Sequence, residues 1–420
     1  MRYFAHVLGL AILTAVVAEA ELAHGQGYGS DLQNVMAPAS GGMAGVSIAR
    51  PQDVPSAIFG NPATLSQFEG TQFTLGGGWV EGYPTVTNTD PLFVRAPISV
   101  TSRTEGAEAT EIGVAQDLRP LGLPGTMGIG LAGLSGGGAE YRGMAPGTPV
   151  LNNQSGEYLV LGLNVGAGFQ VSDRLSVGAT ITLGTGYEQL GFVGVIVDSA
   201  MVNAYALRGT VGLDYELTDC TTLGFYYESK ISFTFEDAVS TIAQPGYRNI
   251  SIAQPTTFGL GVANRSLMDG NLLLAADVYY KLWDDAALYQ SMMVNQWAFA
   301  VGSQLTRDQM KYRLGYSFNS NPINHSVGDN FDNIPGAIQS DIQLYQASSL
   351  PLVYQHRITG GIGRQDLLFP GLDVDLFGGG LLPESDNFGK YSSSSLALYY
   401  VGVGLTWRYD ACRQHADTEQ

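Results

Sequence analysis

The residues with the most chemical potential stand at alternate positions along the chain. Arg208 and Asp214, Glu228 and Lys230, Asp277 and Lys281, Arg313, Arg357, Asp373 and Asp375 all fall on the polar parity of alternating segments. Groups of opposite charge sharing one enclosure pair with each other, because an isolated buried charge is costly. The same groups offer a second chemistry. Lys230, Lys281, Arg313 and Arg357 are cations able to take a ligand carboxylate through charge-assisted hydrogen bonds. Residue types alone do not choose between the two roles.

Hydrolytic chemistry has weaker support. His325 falls in a loop and His356 near a strand start, and no Gly-x-Ser-x-Gly elbow is expected beside them. "GDNFDN" (328–333) alternates oxygen ligands but falls well short of a twelve-residue calcium loop. No metal cluster, phosphate loop or cofactor motif is apparent, so no metal, cofactor or enzymatic activity is expected.

The alternation that carries these charges defines the positioning elements. In 205–215, Tyr205, Leu207, Val211, Leu213 and Tyr215 share one parity. In 223–235, Leu223, Phe225, Tyr227, Ile231, Phe233 and Phe235 do so, and in 272–283 Leu272, Leu274, Ala276, Val278, Tyr280 and Leu282. A two-residue period marks β-strands. The segments run about 10–16 residues, against about 5–6 in soluble sheets. Short turns such as 172–174 and 217–220 alternate with long connections such as 236–254 and 319–351. That asymmetry belongs to membrane barrels. Strands are expected near 71–86, 108–118, 126–142, 157–171, 175–189, 203–216, 221–235, 256–265, 271–284, 294–306, 309–319, 352–364, 372–382 and 395–409, or about 14, an allowed even number.

Composition agrees. Of 420 residues, 55 are glycine, about 13% against a usual 7% or so, and the glycines sit inside alternating segments. A net charge of −18 argues against a nucleic-acid partner. Residues 1–25 read as a secretory signal peptide, with Arg2, an apolar Val7–Ala18 and cleavage after Ala20 or Gly25. No later apolar run approaches the ~20 residues of a spanning helix, so any crossing uses strands. Cys220 and Cys412 are too few for a disulfide scaffold. Both map to the turn end, on strands about half a barrel apart in order, so a direct bridge is not expected, given the roughly 7 Å limit between bridged Cα atoms.

Residues 26–70 break the pattern. They are rich in small residues and punctuated by Pro51, Pro55 and Pro62, which suits a plug inside a wide lumen. The chain therefore divides into signal peptide (1–25), hatch (26–70), barrel (71–409) and polar tail (410–420). The class is all-β: a transmembrane antiparallel barrel with an N-terminal hatch.

Gly41, Gly42, Gly45, the Ala49-Arg50 then Asp53 spacing, and Asn61-Pro62-Ala63 before the first strand resemble the hatch of the FadL/TodX family. "LGFYYESKISFTFED", "LLAADVYYKLWDD" and "ITGGIGRQDLLFPGLDVDLFG" resemble its strand segments. The family comprises outer-membrane channels for long-chain fatty acids and hydrocarbons. The resemblance implies a monomeric 14-stranded barrel, inserted by the barrel assembly machinery. It also implies passive uptake of hydrophobic small molecules and release into outer-membrane lipid at a kinked third strand. One departure stands out. Family barrels usually end on an aromatic residue, whereas here "GLTWRY" is followed by the polar tail.

Three segments acquire roles from that resemblance. Phe192, Val195, Ile196, Val197 and Met201, in the apolar stretch 190–202, would capture ligand with a partner loop at 240–255; strand extension is the competing account. Asn61, Pro62 and Ala63 would anchor or gate the hatch, or simply stop a helix. Ser135, Gly136, Gly137 and Gly138 follow a phase slip between Leu131 and Leu134, which predicts a bulge and, by the resemblance, a lateral opening. A flexible start to an outer loop is the plainer account. A water-filled porin-like barrel and a lipid hydrolase are the alternative functions.

Overall fold

A computed structural model describes residues 36–91, 97–104, 106–144, 154–190, 196–241, 243–328, 336–350 and 355–409. The expected signal peptide, the tail with Cys412, Phe192, Val195 and most of 328–333 lie outside the described residues.

Fourteen strands form one closed antiparallel barrel. They are β1 (Thr71–Gly82), β2 (Ala107–Asp117), β3 (Gly125–Glu140), β4 (Ser155–Ser172), β5 (Leu175–Gln189), β6 (Val202–Thr218), β7 (Thr221–Glu228), β8 (Thr256–Leu267), β9 (Leu272–Leu282), β10 (Gln296–Arg307), β11 (Met310–Asn319), β12 (His356–Arg364), β13 (Leu372–Phe388) and β14 (Ser392–Arg408). Each strand pairs with its neighbours in sequence, and β1 with β14 closes the ring, from Gln72↔Arg408 to Gly82↔Leu398. Closure removes the unpaired edges that lipid would not tolerate.

Alternation sets the two faces. Ile129, Leu131, Leu163, Ile181, Leu207, Leu260, Val301, Leu314, Leu376 and Val403 stand exposed on the outside. Their neighbours in sequence point into the lumen and are buried or half-buried. Aromatic clusters border the band at both ends: Tyr280–Trp297 and Trp297–Phe299 at the loop end, Phe369–Trp407 and Trp407–Tyr409 at the turn end. Such girdles mark the two interfaces of a membrane barrel. Among the described residues no helix is long and apolar enough to cross a membrane.

The seventh expected strand, 221–235, is corrected. The wall strand ends at Glu228, and Ile231–Thr241 pairs instead with Arg248–Gln254 and Ile196–Ser199 in a separate three-stranded sheet. Ile231, Phe233 and Phe235 share the parity of lipid-facing Leu223 and Phe225, yet they are fully buried. A parity rule reads one strand at a time and cannot see the strand leave the wall. The first expected strand also ends early, at Gly82; 85–88 joins 98–101 in a hairpin beside the outer end of β14.

These departures build a cap over the loop end. Phe233, Phe235, Ile250, Ile252, Trp283, Tyr289, Met292, Ile342, Leu344, Tyr345 and Leu350 pack together with Tyr158, Val160 and Tyr400 of the wall. One contributor is α1 (Gln339–Ser349), a helix inside the connection expected to be only loop. The Asp341 carboxylate accepts from the Ile338 N–H at 3.0 Å and caps its first turn. Burial pushes the Tyr289 and Tyr345 hydroxyls well above their ordinary pKa.

The hatch fills the turn-end half of the lumen. Its pieces are Ser40–Met43, the short helix Val54–Phe59 and the 3-10 turn Pro62–Gln67. Asp53 ties two of them together, accepting from Ser56 N at 2.9 Å, Ala39 N at 3.0 Å and Ser40 N at 2.8 Å.

Candidate functional site

Hatch and wall meet where the wall has glycine. A Cβ at Gly178 would overlap the backbone of Pro62 and Ala63, one at Gly168 their carbonyl oxygens, and one at Gly212 the Asn61 side chain. The glycine excess therefore has a local cause: three adjacent strands form a smooth seat for one turn of the hatch. Asn61 holds that turn. Its Nδ2 donates to Ile48 O at 2.8 Å and Leu213 O at 2.9 Å, and its Oδ1 accepts from Ala63 N at 3.1 Å. The triplet is thus both a turn-former and a fixed contact between hatch and wall.

Some of the lumen charges serve the same contact, and others pair within the wall. Asp277 accepts from Ser47 N at 2.7 Å and Ile48 N at 3.1 Å, and Asp214 from Gln67 at 2.9 Å. Arg357 donates to Ala44 O at 3.0 Å, while Thr359 accepts from Ala44 N. Arg313 pairs with Asp375, Arg208 with Glu228 at 2.6 Å, and Arg408 with Asp373 at 2.8 Å. Lys281 is buried. Lys230 is a correction: it stands beyond the end of β7, its side chain 45% exposed, and pairs with Asp285 outside the lumen. Arg313 and Arg357 are thus engaged by protein and Lys230 has its own carboxylate; of the four candidate cations, Lys281 and Arg357 are buried near each other.

The third strand has two unlike halves. From Asp117↔Thr126 to Glu111↔Ala132, β3 pairs with β2. Beyond Ala132 that ladder stops. On its other side β3 stays paired with β4 as far as Glu140↔Ser155, with a register shift between Gly133 and Ser135. Leu134 is the extra residue of that bulge, and it turns inward against Gly162 and Ala132. Above it Ser135, Gly137, Gly138 and Ala139 are all buried, because the strand has left the wall for the interior. Tyr141, fully buried in the cap, anchors its far end by donating to Ser348 O at 3.2 Å.

The result is a seam with a gap in its ladder. Glu111 and Ala132 form its sill. Its upper limit is the 102–104 segment, where Arg103 N donates to Glu140 O at 2.9 Å and Thr104 to Gly138 O at 3.4 Å. Ala107–Thr110 faces Gly133–Gly137 across it without a ladder. The hatch residues Ile58 and Phe59 lie below, against Gly128 and Gly130.

A second feature lies at the loop end. Met201, Val202, Asn203, Ala204 and Tyr205 line an open groove of about 540 Å³ with Ser232, Thr234 and Glu236. Met201 and Tyr205 are exposed. Of the expected capture residues, Met201 is in this groove; Ile196 and Val197 belong to the strand Ile196–Ser199.

Two features escaped the sequence reading. Gly133-Leu134-Ser135-Gly136-Gly137 spells Gly-x-Ser-x-Gly, but it sits on a strand bulge and not on the strand-to-helix turn a nucleophile elbow needs. The other is Glu111, buried level with Ala132 where the ladder ends. Both histidines are occupied: His325 with Asp386 at 2.9 Å, and His356 with Tyr316 at 2.7 Å. No group of three potential metal ligands occurs among the described residues.

No protein-family model and no curated protein matches the chain. Solved structures do. The toluene transporter TodX of P. putida is 17% identical with a TM-score of 0.65, covering 91% of this chain and 99% of its own. A FadL homologue of Pseudomonas aeruginosa is 15% identical with a TM-score of 0.63, covering 91% and 100%. The toluene transporter TbuX of Ralstonia pickettii is 17% identical with a TM-score of 0.59, covering 88% and 97%. The chain therefore shares the fold of TodX, TbuX and the FadL homologue, a β-barrel with its N-terminal segment inside, along nearly its whole described length.

Proposed function

We propose that this chain is an outer-membrane channel for passive uptake of hydrophobic compounds, of the long-chain fatty acid or hydrocarbon class. The observation that carries the reading is the interrupted β2–β3 ladder in a barrel whose turn-end lumen is filled by the hatch. Apolar cargo lands in the groove beside Met201 and Tyr205, enters the apolar cap, and leaves sideways through the gap into lipid. The Asn61-Pro62-Ala63 contact holds the hatch shut below that route and is where a gating shift would start. The protein acts as a monomer, and the assembly machinery reads Trp407 and Tyr409 at the barrel's end.

A water-filled porin is disfavoured by the hatch, which blocks an aqueous path. The test pairs two measurements. Purified protein in planar bilayers should conduct little, and removal of residues 26–63 should raise the conductance. Liposomes carrying the intact protein should take up toluene or laurate faster than empty ones. Large conductance of the intact protein, or uptake no faster than by empty liposomes, refutes the reading.

A further inference from the structure

The wall has a second break, between β6 and β7. Their ladder runs up to Glu228↔Thr210, and Ser229 N donates to Gly209 O at 2.9 Å just above it. There it stops. It resumes where Ala200 N donates to Ala238 O at 3.0 Å and Val239 pairs with Ser199. The register is the same on both sides: counting upward from Glu228↔Thr210 brings Ala238 opposite Ala200 and Val239 opposite Ser199. The ladder has opened like an eyelet, without slipping, between 201–208 and 230–237. Both rims line the groove of about 540 Å³, one with 201–205 and the other with Ser232, Thr234 and Glu236.

The apolar side of the displaced stretch has gone into the cap. Ile231, Phe233 and Phe235 are fully buried, and the two rings stack with centroids 5.9 Å apart. β5 makes room for them with glycine. A Cβ at Gly184 would come within 3.0 Å of Ile231 and Phe233, and one at Gly186 within 3.0 Å of Phe233 and Phe235. The same residues fit a second position. In the shared register Phe233 falls opposite Tyr205, Thr234 opposite Ala204 and Phe235 opposite Asn203. Tyr205 and Leu207 stand exposed on the outside, so closing the eyelet carries both rings to the outer face, on the parity of Leu223 and Phe225. Aromatic side chains suit that face, and the unpaired backbone edge of 202–208 gains its ladder. The partner strand is no obstacle. Ile231↔Gln254 continues the register of Glu228↔Thr257, so the hairpin can move as one piece about 229–230 and 255–256. Pro255, at that hinge, has no N–H to leave unpaired.

Resting on the channel reading above, we infer that the space held by Phe233 and Phe235 is a binding site for one-ring aromatic hydrocarbons, vacated when the hairpin swings out and closes the eyelet. In the position seen here the protein's own rings occupy it in place of cargo. Cargo binds the swung-out state alone, and so draws the equilibrium toward it. Return of the rings expels the cargo.

Cross-linking reads the two positions, in full-length protein whose own thiols are removed by Cys220→Ser and Cys412→Ser. Ala204→Cys with Thr234→Cys places a pair on opposite rims of the groove, brought directly opposite when the eyelet closes. Ser199→Cys with Val239→Cys is the control, since these residues are already ladder partners. Saturating toluene should speed disulfide formation by the first pair about threefold or more, by population shift, and leave the control within about 1.5-fold. The second measurement empties the site without moving the strand. Phe233→Ala with Phe235→Ala should bind toluene about tenfold more tightly than the parent in equilibrium dialysis, because no ring has to leave first. Assembly of each variant is checked by heat-modifiable electrophoretic mobility. A 204/234 cross-linking rate that toluene does not move, or a double alanine variant that binds toluene no more tightly than the parent, overturns the site while leaving the channel reading in place. Parent protein that neither binds toluene nor carries it into liposomes overturns both.

Discussion

The β2–β3 and β5–β6 seams are made of similar strands and end differently. Between β5 and β6 the register runs unbroken from Leu175↔Tyr215 to Glu188↔Val202. Between β2 and β3 it stops at Glu111↔Ala132. Both seams carry inward glycines that receive the hatch, Gly178 and Gly212 in one and Gly128 and Gly130 in the other, and both carry an outward glycine, Gly209 and Gly133, with nothing within 4 Å. Glycine content alone therefore does not open a barrel. The added ingredient is Leu134, one residue too many, which turns the parity over and sends the upper strand inward to Tyr141.

Removing that ingredient should make the two seams alike. Deletion of Leu134 restores one parity along β3 and lets its upper half rejoin β2. Uptake of toluene should fall about tenfold or more. Wild-type uptake with an assembled barrel would break the comparison.

Arg313→Ala sharpens it from the other side. It leaves the Asp375 carboxylate buried without its partner, which costs about 3–5 kcal/mol. The thermal unfolding midpoint should drop, and conductance should rise as the hatch loosens. Gly178→Val has a smaller effect of the same kind. Its side chain must displace the backbone of Pro62 and Ala63, for about 1–3 kcal/mol of overpacking. Asp277→Ala, which strands the Ser47 and Ile48 N–H groups, belongs in the same range, at about 1–3 kcal/mol. The smallest effect is expected at Gly136→Ala, where a Cβ makes ordinary contact with Leu159. Denaturation should shift by less than about 0.5 kcal/mol.

Most of the barrel was legible because lipid and lumen impose opposite demands on successive residues. Leu207 and Arg208 cannot exchange places, so the parity betrays the strand. The bulge was legible for the same reason: Leu131 and Leu134 disagree in parity. What could not be read depends on partners distant in sequence. Phe233 and Phe235 keep the lipid parity of Phe225 and yet bury against Gly184 and Gly186. Arg313, Arg357 and Lys230 look equivalent in the chain, and only the hatch and Asp285 tell them apart. Glu111 lies in an unremarked strand and becomes interesting only because the ladder ends there. Asn61 could be read as a turn-former, but its bond to Leu213 O joins residues 152 positions apart.

The central claim is that cargo leaves through the β2–β3 gap and not through the hatch. Gly137→Trp tests it most directly, because a bulky ring is placed in the frame while the hatch contacts are untouched. Toluene uptake by liposomes containing the assembled variant should fall to the level of empty liposomes, with conductance unchanged. Uptake equal to that of the parent protein would contradict a lateral exit.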